Sequence, residues 1–182
     1  MSDFGETAAS KTNNQRPAFM TRTVSLNFEK PPLVLPTYIK AITGGGQLSE
    51  GETIPRIEAQ CRNVAVEISH LENYLKICGF VDNDRLPITY PHVLAFPLQM
   101  QLLTNVNFPL KLLGLVHVRN EITQQRRIDA RENLDIHTHV DGHRQGHNGV
   151  EFDVHTEIYD NQGDRIWHSV STNLSRGKGS GS

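Results

Sequence analysis

The chain has 182 residues, enough for one domain with a real core. Lys and Arg (18) nearly balance Asp and Glu (20), so bulk charge argues against nucleic acid or an anionic membrane as partner. Cys61 and Cys78 are too few for a disulfide scaffold, no apolar run is long enough to span a bilayer, and no secretory pattern opens the chain, so the cytoplasm is expected.

Residues 1–20 are polar and predicted to be a disordered leader. Residues 21–176 read as a single domain without repeats, and 177–182 as a flexible tail or cloning scar. Pro31, Pro32 and Pro36 keep the entry extended, and Tyr38 to Ile42 suits a short helix. Gly44 to Gly46 is a plain loop, because no phosphate-cradling GxxxxGK[ST] pattern accompanies it.

Val64 to Ile68 alternates as a strand would. Ser69 or His70 then caps a helix through Leu71, Tyr74, Leu75 and Cys78, which Gly79 stops. After a polar loop at 81–87, Pro91 opens a helix whose apolar residues cover most of its circumference, from Val93 to Leu103. Such a helix must be wrapped by protein on several sides. Pro97 predicts a kink or the start of a second helix.

After Phe108 and Pro109 the apolar period becomes two. Leu115 to Ile122 and Leu134 to Val140 are strands. Val150, Phe152, Val154, Thr156 and Ile158 share one face of a third. Asn161 to Asp164 turns the chain into a fourth, Arg165 to Leu174. An enveloped helix followed by an antiparallel sheet with one apolar face is an α+β pattern, and it predicts the hotdog architecture, a sheet curled around a central helix.

Three stretches in this order resemble the MaoC-like hydratase/dehydratase family of hotdog proteins. They are Glu72 to Phe80, Leu86-Pro87-Ile88-Thr89-Tyr90-Pro91 and Gly114-Leu115-Val116-His117, followed by the strand pair around Asp160 to Asp164. The resemblance covers residues 60 to 176 and is closest to the N-terminal type of module. It implies acyl thioester substrates, on coenzyme A or a carrier protein, and hydration of 2-enoyl or dehydration of 3-hydroxyacyl groups. It implies no metal or redox cofactor, and a homodimer or a pairing with another hotdog subunit. The family's Asp-x-Asn-Pro-x-His pattern is missing: Phe80 stands where the aspartate is expected and Arg85 where the histidine is.

Hydration or dehydration needs an acid and a base, and fixed donors for the thioester oxygen. His92, in the first turn of the apolar helix, is the first candidate acid/base group. Tyr90 would orient water or the carbonyl, and helix amides would bind the oxygen. His117 is a second candidate, on a strand face with Leu115 and Arg119. Asn120 falls on the Val116 and Val118 face and joins Gly114 and Phe96 among the substrate-binding candidates. Arg119 and Arg126 are candidates to meet coenzyme phosphates at the channel mouth. For Tyr90, His92 and His117 the plain alternative is packing or ordinary hydrogen bonding.

Asp135, His137, His139 and Asp141 share a strand face at a spacing zinc can use, with His143 nearby. A polar outer sheet face is simpler, because Leu134, Ile136, Thr138 and Val140 hold the other side, and no metal is assigned. Cys78 reads as core, Trp167 as packing or interface, and no serine has a nucleophile-elbow context. Three functions are therefore expected: a MaoC-like hydro-lyase first, then a non-catalytic binding subunit paired with an active partner, then a hotdog thioesterase.

Overall fold

The computed structural model describes residues 23–36, 46, 48, 49 and 51–176. The expected leader, the helix at Tyr38 to Ile42 and the tail lie outside them. The described strands are β1 (Val24–Phe28), β2 (Ile57–Val64), β3 (Leu115–Gln124), β4 (Leu134–Val140), β5 (Arg144–Gly146), β6 (Gly149–Tyr159) and β7 (Arg165–Arg176). They form one sheet in the order β1-β2-β4-β6-β7-β3, with β5 paired to β6. Only β1 and β2 pair in parallel; every other ladder is antiparallel.

The inner face follows from register. Cys61, Ile136, Ile158 and Trp167 stand side by side across β2, β4, β6 and β7, and all four are buried. The next row toward the centre of the face is Ala59, Thr138, Thr156, Ser169 and Ile122. Burial alternates strictly along β4 and most of β6, so these strands bury one face and turn a polar one outward. Asp135, His137 and His139 lie on that outer face. No group of three or more His, Cys, Asp or Glu among the described residues could hold a metal ion.

Residues 34–36 are also helical, and two longer helices complete the described architecture, α1 (Ile68–Cys78) and α2 (Tyr90–Leu103). Helix α2 packs across β2, β4 and β6, and none of its residues is exposed. Ala95, Leu98 and Leu102 are fully buried. Pro97 lies inside one continuous 14-residue helix and neither ends it nor starts another. Thr89 precedes the helix without a side-chain cap, and proline stands in its first turn as the sequence predicts. The Trp167 indole donates to Ile88 O at 2.8 Å, which ties the segment leading into α2 to the sheet. No helix among the described residues is long and apolar enough to cross a membrane.

Three local expectations need correction. Cys78 is exposed at the last position of α1 and is not part of the core. The alternating stretch at 64–68 is not a strand: β2 ends at Val64, and α1 begins at Ile68. The ladder breaks between Cys61 and Val64, where Asn63 takes φ 56°. Val64 and Val66 still bury their side chains, so the alternation is real but lacks a partner strand beyond Val64. Neither Ser69 nor His70 caps α1. Glu67 is the residue before the helix and makes no capping bond. The Ser69 hydroxyl donates to Glu67, and His70 Nδ1 pairs with the Tyr90 hydroxyl at 2.8 Å. Gly79 ends α1 in a left-handed conformation at φ 70°, with Phe80 N–H donating to Leu75 O at 2.9 Å.

Leu98→Ala removes a fully buried side chain from the face of α2 that meets the sheet. It should lower unfolding stability by about 2–5 kcal/mol, read from urea denaturation. A loss within about 0.5 kcal/mol would contradict this packing.

Candidate functional site

One stripe of α2 carries His92, Phe96, Gln99 and Leu103, spaced 4, 3 and 4 residues apart and so on one helical face. This stripe faces a cavity of about 440 Å³. Strand β3 contributes Leu115 and His117 to its wall, and β7 contributes Ser171 and Asn173. Met100, Leu112 and Leu113 close much of the remainder. The cavity is polar beside His92 and apolar toward Leu103, and it opens past the sheet edge, where His117 is exposed.

His92 and His117 face one another with ring planes 8° apart and centroids 6.3 Å apart. Burial pushes the His92 imidazole below its ordinary pKa, and the neighbouring His117 adds to that. His92 is therefore neutral near pH 7 and can accept a proton. Gln99 Nε2 lies 3.5 Å from His92 Nδ1 and donates to Thr156 Oγ1 at 2.9 Å. The Thr138 hydroxyl in turn donates to His155 O at 2.8 Å and lies 3.2 Å from Thr156 Oγ1. This chain pairs Gln99, Thr138 and Thr156 behind the helix and fixes the Gln99 amide beside His92, while the buried Ser169 hydroxyl next to Thr156 has no partner among the described residues.

A bulge decides which residues of β3 face inward. His117 pairs with Asn173, but Arg119 pairs with Thr172 and Asn120 with Ser171. One residue is thereby inserted, and the side-chain alternation changes phase. Asn120 consequently shares the His117 face, where it accepts a hydrogen bond from the Ser171 hydroxyl at 3.1 Å. Arg119 turns to the opposite, outer face, beside Thr172, whose hydroxyl donates to Asp153 at 2.6 Å. The unbroken alternation read from sequence assigned both residues to the wrong faces.

The other candidates divide. Phe96 lines the cavity, while Gly114 lies in the loop before β3 with φ 98° and borders a neighbouring cleft. Tyr90 is fully buried and lines neither space; its hydroxyl meets His70, and burial pushes its pKa up to about 12. Its place is structural, joining α1 to the start of α2 beside the bond between Tyr74 and Thr89. Arg126 is not a mouth residue either. It makes a forked pair with Glu132 at 2.9 and 2.8 Å and reaches Asp160 at 3.0 Å. Phe80 is half exposed and Arg85 pairs with Asp129, so neither lines the cavity. Sequence reasoning missed Gln99, Ser171 and Asn173. Gln99 was detectable, as a polar residue seven positions after His92, and so on its face, in a mostly apolar helix.

Because the folded protein resists protonating His92, the unfolded chain takes up that proton first as pH falls. Stability from this group is therefore present above pH 6.5 and declines just below it. In an NMR titration the His92 imidazole should change protonation below 6.5, and His117→Gln should move the midpoint upward. A midpoint at or above 6.5 in the unaltered protein would contradict this environment.

No family model matches the chain. It is 27% identical over 123 residues to 3-hydroxyacyl-thioester dehydratase X of Mycobacterium tuberculosis (strain ATCC 25618 / H37Rv), an alignment covering 68% of this chain and 44% of that protein. A crystal structure of HtdX from Mycobacterium tuberculosis superposes with a TM-score of 0.62 at 27% identity, over 65% of this chain and 51% of that one. A structure described as a MaoC-like dehydratase superposes with a TM-score of 0.56 at 14% identity, over 66% and 42% of the two chains. The chain thus spans about half the length of the relatives it matches. Its fold is the hotdog, and in sequence and structure it resembles the MaoC-like dehydratases.

Proposed function

We propose that this chain binds acyl thioesters, on coenzyme A or a carrier protein, and acts on them as a hydratase or dehydratase. The observation that carries this reading is the facing pair His92 and His117 at the polar end of an otherwise apolar cavity. In dehydration, neutral His92 would take the C2 proton of a 3-hydroxyacyl thioester. Protonated His117 would give its proton to the leaving 3-hydroxyl, which departs as water. Hydration runs the same transfers backward. Charge developing on the thioester oxygen would be met by first-turn amides of α2, where no side chain caps the helix. This chemistry needs neither metal nor redox cofactor. A cytoplasmic site of action accords with two free thiols, Cys61 and Cys78.

A second reading is a binding subunit that works beside a catalytic partner. Two observations favour it. No Asp or Glu among the described residues lines the cavity. Strand β3 ends the sheet and is exposed on both faces from His117 through Glu121, including Val118 at 48%. A second hotdog, either another copy or a different subunit, could pair with that edge and bring a carboxylate to the open side. A thioesterase would need a carboxylate aimed at the thioester carbon, and the cavity wall supplies none.

Purified protein should consume crotonyl coenzyme A, followed by loss of enoyl-thioester absorbance. His92→Ala should lower kcat/KM about 100-fold or more while the far-ultraviolet dichroism is unchanged. Unchanged turnover in that variant would remove His92 from the chemistry. An inactive protein whose Tm rises with acyl coenzyme A would favour the binding subunit. An inactive protein without that rise would contradict both readings.

A further inference from the structure

Gln99 lines the cavity and is only 6% exposed, yet its amide oxygen has no hydrogen-bond partner among the described residues. Which end of the amide faces the sheet is decided by the hydroxyls behind it. A backbone carbonyl only accepts, so the Thr138 hydroxyl gives its one hydrogen to His155 O. Thr156, 3.2 Å away, then gives its hydrogen to Thr138 Oγ1, because Ser169, the other hydroxyl beside it in the ladder, makes no bond. With that hydrogen in use, Thr156 Oγ1 can only accept from Gln99, and the bond requires an N–H. The amide is thereby turned with Nε2 toward Thr156 at 2.9 Å, and Oε1 is left as a free acceptor. The second N–H lies 3.5 Å from His92 Nδ1, beyond the usual range of about 2.7–3.2 Å, and holds that ring nitrogen weakly. Asn173 carries another amide on the wall, with Nδ2 donating to Ser171 O, but it is half-buried and stands opposite His117, at the open side.

We propose that Gln99 Oε1 accepts a hydrogen bond from the 3-hydroxyl of a 3-hydroxyacyl thioester and, in the reverse direction, from the water that adds to C3. This rests on the acyl-thioester reading of the cavity and names the group that selects hydroxylated acyl chains. A 3-hydroxyl brings one hydrogen and two lone pairs. In an apolar passage the hydrogen needs an acceptor, while a lone pair must stay open for the proton from His117. An amide oxygen with no other partner meets the first need and leaves the second untouched. The hydroxyl's own hydrogen stays on its oxygen throughout, so the group departs as water while still bound to Gln99. The geometry agrees with the reacting carbons. Gln99 stands seven residues after His92, about 10 Å along the helix axis, but helical side chains lean toward the N-terminus and its amide comes within 3.5 Å of that ring. C2 at His92 and the 3-hydroxyl at Gln99 are thus neighbouring positions, as adjacent carbons require.

The test titrates hexanoyl coenzyme A and each enantiomer of 3-hydroxyhexanoyl coenzyme A calorimetrically into the full chain, Gln99→Met, Thr156→Val and Asn173→Leu. The esters are analysed by chromatography after each titration, so that any dehydration is corrected for. One hydroxylated enantiomer should bind the unaltered chain about 10-fold more tightly than the hexanoyl ester. Gln99→Met, an apolar side chain of similar length, should abolish that preference. Thr156→Val keeps the shape of the wall but lets the amide turn, and it should reduce the preference while the far-ultraviolet dichroism is unchanged. Equal binding of hydroxylated and plain esters by the unaltered chain would overturn the proposal. A preference that survives Gln99→Met would overturn it too, and loss in Asn173→Leu would then give the role to Asn173. A preference lost in Gln99→Met but undiminished in Thr156→Val would overturn the anchoring by Thr156. Should Gln99→Met not fold, Thr156→Val decides: a full preference there contradicts the proposal and a reduced one supports it. If the unaltered chain binds none of the three esters, the acyl-thioester reading itself fails.

Discussion

A helix with almost no polar face must be covered on nearly every side, and that requirement organises this molecule. Exposing α2 would leave Leu94, Phe96, Leu98, Met100, Leu102 and Leu103 in water. A flat sheet covers one side of such a helix, whereas a twisted and curled one covers more. Strands β2, β4 and β6 supply most of that contact. The polar residues that α2 does carry are placed accordingly. Gln99 is buried, and its amide donates to Thr156.

The candidate site exists because the cover is incomplete. The sheet ends at β3, and there its inner face and the α2 stripe of His92, Phe96, Gln99 and Leu103 enclose space instead of packing together. The bulge in β3 then sets which of its residues share the inner face, though of His117 and Asn120 only His117 lines that space. Without it, the strand could not turn both His117 and Asn120 inward. The same constraint that builds the core therefore leaves a channel, apolar along its length and polar where histidines meet. The incomplete side also leaves β3 as an edge of the described sheet.

Much of this was legible in the sequence. The apolar circumference of residues 90 to 103, with proline in the first turn, marked the central helix. Period-two alternation at Leu134 to Val140 gave the bounds of that strand, and Asn161 to Asp164 gave the turn before β7. The histidines of α2 and β3 that meet were both candidates before the fold was known. What was hidden depends on phase and partners. A single inserted residue between His117 and Arg119 leaves no mark on composition but reverses the faces of Arg119 and Asn120. The role of Arg126 depended on Glu132 and Asp160, the second of them 34 positions away and brought close only by folding. Tyr90 shared a motif with His92 but points to His70, because neighbouring positions on a helix face different directions.

The central claim is that an acyl chain lies between α2 and the β3–β7 wall. Met100 is on that cavity and is one of three methionines in the chain, so its methyl group is a sparse internal probe. The most direct measurement is a methyl NMR titration of methionine-labelled protein with decanoyl coenzyme A. The account predicts a saturable shift of the Met100 methyl, together with shifts of the His92 and His117 ring protons and none at His139 or His155 on the outer face. Binding that moves the outer-face histidines and leaves Met100 in place would contradict it.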